Sequence, residues 1–342
     1  MLDRKINVAQ IGVGYWGPNL LRNLVNNDQC DVKLAVDFSA ERRTFVKSLY
    51  PSIKVSGDSD EIFSDPGIDA VIIATPVESH FDLSIKALEA GKHILVEKPM
   101  ARTVEEVEEI GRLAEENNLV AMVGHTFLYN SAVRYVNKII DSGELGNIRY
   151  IYSQRVNLGR IRSDVDALWN LAPHDISIVH YWLDESTPMS VQRTGMAYVQ
   201  ENIEDVSFLS IQYPKNILVN IHVSWLDPHK VRRMTVVGSE KMVVYDNLSD
   251  NKVTIYDKGI DRMAVLGENM DFDNPEALNF NHRSGEKTVP IIDWEEPLKV
   301  EVGHFVDCVM GGAPCLTGVD HAKKVVTVLE QASTEPAFTE FD

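Results

Sequence analysis

At 342 residues the chain is longer than most single domains, and its 44% hydrophobic and 25% charged content is that of an ordinary globular protein, so two domains with separate cores are expected. A formal net charge of -18 opposes partnership with nucleic acid or an anionic membrane, although a local arginine cluster can still hold an anionic ligand. No apolar run reaches the length of a bilayer span, no apolar leader precedes the first strand, and three cysteines without a CxxC pair suit reduced thiols, so a cytoplasmic setting is expected.

The first element is a strand, Ile6 to Ile11, that runs into Gly12-Val13-Gly14-Tyr15-Trp16-Gly17-Pro18 and leaves as a helix carrying Leu20, Leu21 and Leu24. This is a complete G-x-G-x-x-G spacing in a strand-turn-helix context: the glycines permit the tight turn, close approach to a pyrophosphate and close helix packing. The helix N-terminus adds free N–H groups and partial positive charge. A second strand, Val32 to Val36, ends in Asp37, 20 residues beyond Gly17, where the fingerprint calls for an acid on the ribose hydroxyls. The pattern predicts a bound dinucleotide, NAD in preference to NADP, with Arg42 and Arg43 as the feature that favours the latter.

Strands alternate with helices onward: Ile53 to Val55, Asp69 to Ala74, His93 to Val96 and Leu119 to Val123, with Ser39, Ser79 and the Thr103/Glu106 capping box opening the helices. This describes an α/β fold, a Rossmann-type doubly wound parallel sheet over residues 1–125. Ligands lie beyond the carboxyl ends of such strands, which marks Thr75 and Pro76, and also Glu97 and Lys98. From position alone Lys98 reads equally as a surface residue ending a strand.

From residue 126 to 342 the texture changes. After a helix near Ala132 to Ile140, strands dominate: Asn147 to Val156, Val206 to Tyr213, Ile217 to Trp225, Val231 to Val237, Lys241 to Tyr245 and Lys252 to Tyr256. They predict a second domain of different build, α+β on a mostly antiparallel sheet. Gly267 to Glu296 reads as a long polar loop, and Glu301 to Met310 and His321 to Gln331 as closing helices.

Between these strands lies Asp166-Ala167-Leu168-Trp169-Asn170-Leu171-Ala172-Pro173-His174-Asp175-Ile176. Pro173 is expected to start a helix, which puts His174 in its first turn, where the helix dipole favours a neutral imidazole able to act as a base. The plain alternative is a histidine satisfied by Asp175 or by backbone. Arg155, Asn157, Arg160 and Arg162 precede it as a guanidinium cluster suited to phosphate or carboxylate, while Trp169 and Tyr129 could stack on a base or sugar ring. A solvated loop is the bland reading of that cluster. Ten histidines include neither an HExxH nor a close H-x-H pair, so no catalytic metal is expected. His125 follows a strand end and reads as a backbone partner, and His222 as an interface or solvent residue on a polar strand face.

The glycine turn, Thr75-Pro76 followed by His80, the run Gly91-Lys92-His93-Ile94-Leu95-Val96-Glu97-Lys98-Pro99 and Pro173-His174-Asp175-Ile176, in that order, resemble the glucose-fructose oxidoreductase and inositol 2-dehydrogenase family, Gfo/Idh/MocA. The resemblance implies hydride transfer between a nicotinamide and a sugar or cyclitol carbon, with a large sheet in the second domain that binds substrate and mediates oligomerisation. It implies Gly12, Gly14, Tyr15, Trp16, Gly17, Asp37, Thr75, Pro76, His80, Glu97 and Lys98 at the cofactor, and Lys98 and His174 as catalytic residues whose roles can be exchanged. It further implies Lys98, Tyr129, Arg155, Asn157, Trp169, Asn170 and His174 at the substrate, a Lys98-Pro99 bond that is often cis, and a homodimer or homotetramer. Asn170 departs from the aspartate of inositol-dehydrogenase-like members, and an amide cannot carry a proton relay. The segment resembles the nucleotide-sugar branch, which implies a UDP-linked amino sugar or uronic acid oxidised at C3. A free sugar or cyclitol is the alternative, and a dinucleotide-binding regulator without turnover the alternative of another class.

Overall fold

A computed structural model describes residues 5–264 and 278–334 of the chain. Its residues gather into two compact units, one built up to Ser131 with Ile176–Tyr181 and Trp294–Thr334, the other from Ala132–Asp175 and Trp182–Asp293.

The first unit holds strands β1 (Ile6–Ile11), β2 (Cys30–Val36), β3 (Lys54–Ser56), β4 (Ala70–Ile73), β5 (His93–Glu97) and β6 (Ala121–Gly124), all parallel, in the order β3-β2-β1-β4-β5-β6. The helices between them are α1 (Gly17–Val25), α2 (Ala40–Leu49), the single turn α3 (Asp60–Phe63), α4 (His80–Glu89) and α5 (Val104–Glu116). Strand order reverses between β1 and β4, the switch point at which open parallel sheets bind ligands. Strands buried on both faces read as unbroken apolar runs, and β4 is entirely buried. On α1, Leu20, Leu21 and Leu24 are at most 1% exposed, and each such side chain contributes about 1.5–3 kcal/mol of burial.

Two of the three expected caps form, while Ser79 Oγ turns back to Thr75 Oγ1 and the Pro76 carbonyl and caps nothing. Ser39 accepts from the Arg42 N–H, and Thr103 Oγ1 accepts from the Glu106 N–H while Glu106 Oε2 accepts from the Arg102 N–H. Two late helices, α8 (Pro297–Val309) and α9 (Val319–Thr334), belong to this unit, although the sequence reading grouped them with the second domain. Arg22 on α1 forks onto Glu296 at the start of α8, and Lys323 on α9 pairs with Glu108 on α5.

The second unit carries helix α6 (Ser131–Asp141, Ser131 itself grouping with the first unit), strand β7 (Ile148–Val156) and most of helix α7 (Ala167–Trp182). It continues with β8 (Ser190–Met196), β9 (Val206–Tyr213), β10 (Ile217–Ser224), β11 (Val231–Gly238), β12 (Met242–Asp246), β13 (Val253–Ala264) and β14 (Leu278–Thr288). These strands form one sheet in the order β14-β13-β12-β11-β7-β10-β9-β8, antiparallel except for β7 beside β10. In β10 Val219, Ile221 and Val223 are buried while Leu218, Asn220 and His222 face the other way, the alternation expected of a sheet with one packed face.

Two expectations are corrected. Residues 278–288 of the segment read as loop form β14, paired with β13 through backbone hydrogen bonds; its 282–288 stretch is largely exposed, so no apolar alternation marks it. Residues 265–277 of that segment lie outside the described residues. Pro173 does not start a helix: α7 begins at Ala167, with Asp166 Oδ1 accepting from the Trp169 N–H as its cap, and Pro173 sits inside. His174 is therefore in mid-helix, and the argument from a first-turn dipole does not apply to it.

Candidate active site

In the first unit the glycine turn is held from three sides. Gly12 has φ +92°, and a Cβ there would meet the Ala74 carbonyl oxygen at 2.5 Å; a Cβ on Gly17 would meet the Gly12 oxygen at 2.4 Å. Both positions exclude any larger residue. A Cβ on Gly14 meets nothing within 4 Å, so this glycine leaves open space over the turn where a pyrophosphate would approach the α1 N-terminus. Gln10, fully buried in β1, braces the turn by donating Nε2–H bonds to the Gly12 and Gly17 carbonyls at 2.8 and 2.9 Å. Asp37 completes the frame: its Oδ2 accepts from the Val13 N–H at 2.8 Å and its Oδ1 from the Ser39 N–H at 2.9 Å. Arg43 donates to the Asp37 and Phe38 carbonyls, which turns its charge to backbone at the end of β2. An open cradle, a helix N-terminus and an acid at the second strand fit a dinucleotide, with Gly14, the first turn of α1 and Asp37 as the groups that would hold it.

Thr75 and Pro76 follow β4 beside this turn, with the Thr75 methyl 3.1 Å from the Cβ position of Gly12. His80 is buried rather than lining the pocket: Nδ1 lies 2.8 Å from the Pro99 carbonyl oxygen and Nε2 2.9 Å from that of Thr75. Burial pushes its pKa down while the two carbonyls pull it up, since only the doubly protonated ring donates to both; the ring lies between the two loops that border the cofactor edge. The Lys98-Pro99 peptide is cis. Lys98 is half-buried at the end of β5, and its N–H donates to Glu97 Oε2 at 3.2 Å.

Glu97 Oε1 is enclosed without a hydrogen-bond partner, and burial pushes this carboxyl up to about 7 against the pull of Lys98 and of the Trp16 side chain that hydrogen-bonds it. Glu301 on α8, fully buried, takes a hydrogen bond from Thr126 Oγ1 at 2.8 Å and is pushed well above the usual range by burial and by Glu97. His125 and His321 meet edge to face at 5.2 Å. Behind Lys98 the first unit thus stores a set of buried acids and imidazoles. The sequence reading missed Gln10 and Glu301; the available signal was a polar residue within a strand or helix face that is otherwise apolar. Tyr15, by contrast, is 89% exposed.

Tyr129 does not offer a stacking face. It is buried to 1%, its hydroxyl is 2.9 Å from Thr317 Oγ1, and its ring packs against His304, so the expectation that it binds substrate is corrected: its polar end is spent inside the core.

In the second unit, Arg155 on β7 forks onto Asp175, with Nε to Oδ2 at 2.7 Å and Nη2 to Oδ1 at 2.9 Å; both side chains are at most 4% exposed. Arg155 therefore fixes the residue next to His174 and is not an arginine of a solvated loop. Arg162 pairs with Asp164, and Arg160 is exposed, so the expected arginines do not cluster as one site. Arg232 on β11 lies opposite Arg155 in register. Its Nη2 donates to Asn157 Oδ1 at 3.3 Å, its Nη1 is enclosed without a hydrogen-bond partner, and burial, with Arg155 beside it, pushes its pKa down to about 10. Asn170 Oδ1 accepts from the Trp225 indole N–H at 3.4 Å, while Trp169 and His174 are half-buried on α7.

The sequence pattern of the oxidoreductase family with an NAD-binding Rossmann fold matches residues 6–125, and that of the GFO/IDH/MocA C-terminal domain matches residues 133–244. The chain belongs to the Gfo/Idh/MocA oxidoreductases. Its first unit is accordingly an NAD-binding Rossmann domain, and the expected fold class holds for both units.

Three relatives illustrate the family's range. A 4-carboxy-2-hydroxymuconate-6-semialdehyde dehydrogenase of Sphingobium sp. is 30% identical over 52% of this chain and 58% of its own length. A scyllo-inositol 2-dehydrogenase (NAD+) of Bacillus subtilis is 26% identical over 93% of this chain and 91% of its own. A UDP-N-acetylglucosamine 3-dehydrogenase of Acidithiobacillus ferrooxidans is 28% identical over 56% of this chain and 59% of its own, and its solved structure superposes with a TM-score of 0.78 at 21% identity, over 97% and 98% of the two chains. Among the described residues no helix is long and apolar enough to cross a membrane.

Proposed function

We propose that this oxidoreductase oxidises or reduces a ring secondary alcohol of a nucleotide-linked sugar, a UDP amino sugar or uronic acid, with C3 as the reacting carbon. When bound, the nicotinamide supplies the hydride acceptor or donor. The chain's own residues supply the rest: Gly14 and the α1 N-terminus hold the pyrophosphate, Asp37 the ribose hydroxyls, Lys98 polarises the reacting oxygen, and His174 exchanges its proton.

The observation that carries the nucleotide-sugar reading is Arg232. Its guanidinium is enclosed next to a second arginine, with Nη1 lacking a hydrogen-bond partner. Asp175 offsets only one of the two guanidinium charges, so a phosphate or carboxylate would balance the excess and accept the N–H, whereas a neutral cyclitol hydroxyl would accept the N–H without balancing the charge. The alignment with an inositol dehydrogenase over 93% of the chain supports the second reading, a free sugar or cyclitol. Three free cysteines support a reducing, cytoplasmic setting. A row of exposed apolar residues on one sheet face, Tyr150, Phe208 and Leu218, supports a homo-oligomer in which a second copy covers it.

The test is incubation with NAD and parallel panels of UDP-sugars, free sugars and inositols, read by nicotinamide absorbance. Turnover of the UDP-sugars is expected; turnover of the free compounds alone overturns the substrate, and turnover of none of them overturns catalysis. Lys98→Ala and His174→Ala should each lower kcat by about 100-fold or more while NADH still binds.

A further inference from the structure

Away from the nicotinamide edge, the end of α8 carries a second set of chemically active groups. His304 and Cys308 stand one turn apart on the same helix face, and Cys315 returns over that turn from the loop that follows. Gly311, at φ +76°, ends the helix, and the Gly312 N–H donates back to the Asp307 carbonyl at 2.8 Å, which reverses the chain. The ligating atoms of the three side chains all lie within 4.8 Å of one another, and among the described residues this is the one such group of three. Cys308 Sγ and His304 Nε2 are 3.4 Å apart.

We infer that His304, Cys308 and Cys315 form a binding site for a thiophilic divalent cation of the zinc class. Zinc–sulfur and zinc–nitrogen bonds of about 2.3 and 2.0–2.1 Å place the nitrogen and sulfur ligands of a tetrahedral centre about 3.5 Å apart and two sulfurs about 3.8 Å apart. The His304–Cys308 spacing of 3.4 Å matches the nitrogen–sulfur value, and the 4.8 Å limit on the remaining pairs leaves Cys315, on its loop, at most about 1 Å to close. Softness selects the ion: two thiols and an imidazole suit zinc-like cations and offer magnesium or calcium none of the oxygen ligands those ions require.

Charge favours it too. Binding releases one proton from each thiol to solvent, and a dication with two thiolates is neutral, as a partly buried site demands. Cys308 is 6% exposed, whereas His304 and Cys315 are half-buried and leave a path for the ion and a fourth position for water. One hydrogen bond must be exchanged. The Leu316 N–H now donates to His304 Nε2 at 3.0 Å, and on binding its acceptor becomes a thiolate sulfur.

The site has a structural task. The loop it would pin runs on beside β6, where the Val123 N–H donates to the Thr317 carbonyl at 2.8 Å and Tyr129 meets the Thr317 hydroxyl. A bound cation would tie α8 to the edge of the dinucleotide sheet, independently of substrate.

The full chain, reduced and stripped with chelator, is titrated with Co²⁺ and then Zn²⁺. A sulfur-to-cobalt charge-transfer band saturating at one equivalent, erased by Zn²⁺, is expected, together with zinc protection of Cys308 and Cys315, but not Cys30, from alkylation. His304→Ala and Cys315→Ser should each weaken binding by about tenfold or more while NADH affinity stays that of the parent. Absence of the band in the reduced parent overturns the site, as does undiminished binding by the Cys308→Ser/Cys315→Ser double variant. Recovery of the protein with a Cys308–Cys315 disulfide that reduction does not convert to a cobalt-binding form also overturns it.

Discussion

Arg155 and Asp175 form a two-point ion pair, with both side chains at most 4% exposed, one residue from His174. Removing one partner leaves an uncompensated buried charge, the costly case, whereas removing both does not. Asp175→Asn should cost about 3–5 kcal/mol in denaturant unfolding, and Arg155→Met/Asp175→Leu less than either single change. Additive single losses would show that the two do not act as a pair.

The two glycines of the turn should behave oppositely. Gly12→Ala drives a Cβ to 2.5 Å from the Ala74 oxygen at a positive φ, so it should lower the melting temperature, at a cost of about 1–3 kcal/mol or more. Gly14→Ala puts its methyl into open space: the melting curve should stay put while NADH affinity, followed by fluorescence, falls about tenfold or more. Unchanged affinity in Gly14→Ala would remove the pyrophosphate from that position.

Glu97 sets a pH dependence. Its folded pKa, about 7, lies above its ordinary 4.5, so between these values the folded state keeps a proton that the unfolded state releases. Stability contributed by the neutral acid is fully present below about pH 4.5 and is lost as pH rises through about 7, by an amount on the order of 3 kcal/mol. Glu301 acts in the same direction. Denaturant midpoints from about pH 5 to about pH 8 should fall in the parent and fall less steeply in Glu97→Gln, where Glu301 remains.

Arg232→Met should raise KM for a UDP-sugar by about 10- to 100-fold with kcat little changed, and Arg232→Lys should restore part of it, since an ammonium supplies charge without the fork. Equal KM in parent and variant would assign Arg232 to structure alone.

Phe208 stacks on His222 at 4.2 Å across two strands, on the open face that also shows Tyr150 and Leu218. Phe208→Glu should shift sedimentation to the monomer if a second copy covers that face. An unshifted coefficient in a parent that is oligomeric would move the interface elsewhere.

What the sequence determined by itself is local and periodic. The glycine turn, Asp37, the six parallel strands and the alternating β10 were legible because each depends on neighbours a few residues away, through φ, capping or burial period. Lys98 at a strand end was legible for the same reason. Tertiary structure alone decided the partners. Arg155 looked like a substrate arginine until β7 was set against α7, Arg232 gained its place only through register with β7, and Tyr129 lost its ring face to the core. Pro173 read as a helix start because a proline fits there, yet the Asp166 cap began the helix two turns earlier. Strand β14 gave no apolar signal because its 282–288 stretch is largely exposed. Long-range contacts leave no period in the chain, so the buried acids and the His304, Cys308 and Cys315 cluster became visible only when the fold brought them together.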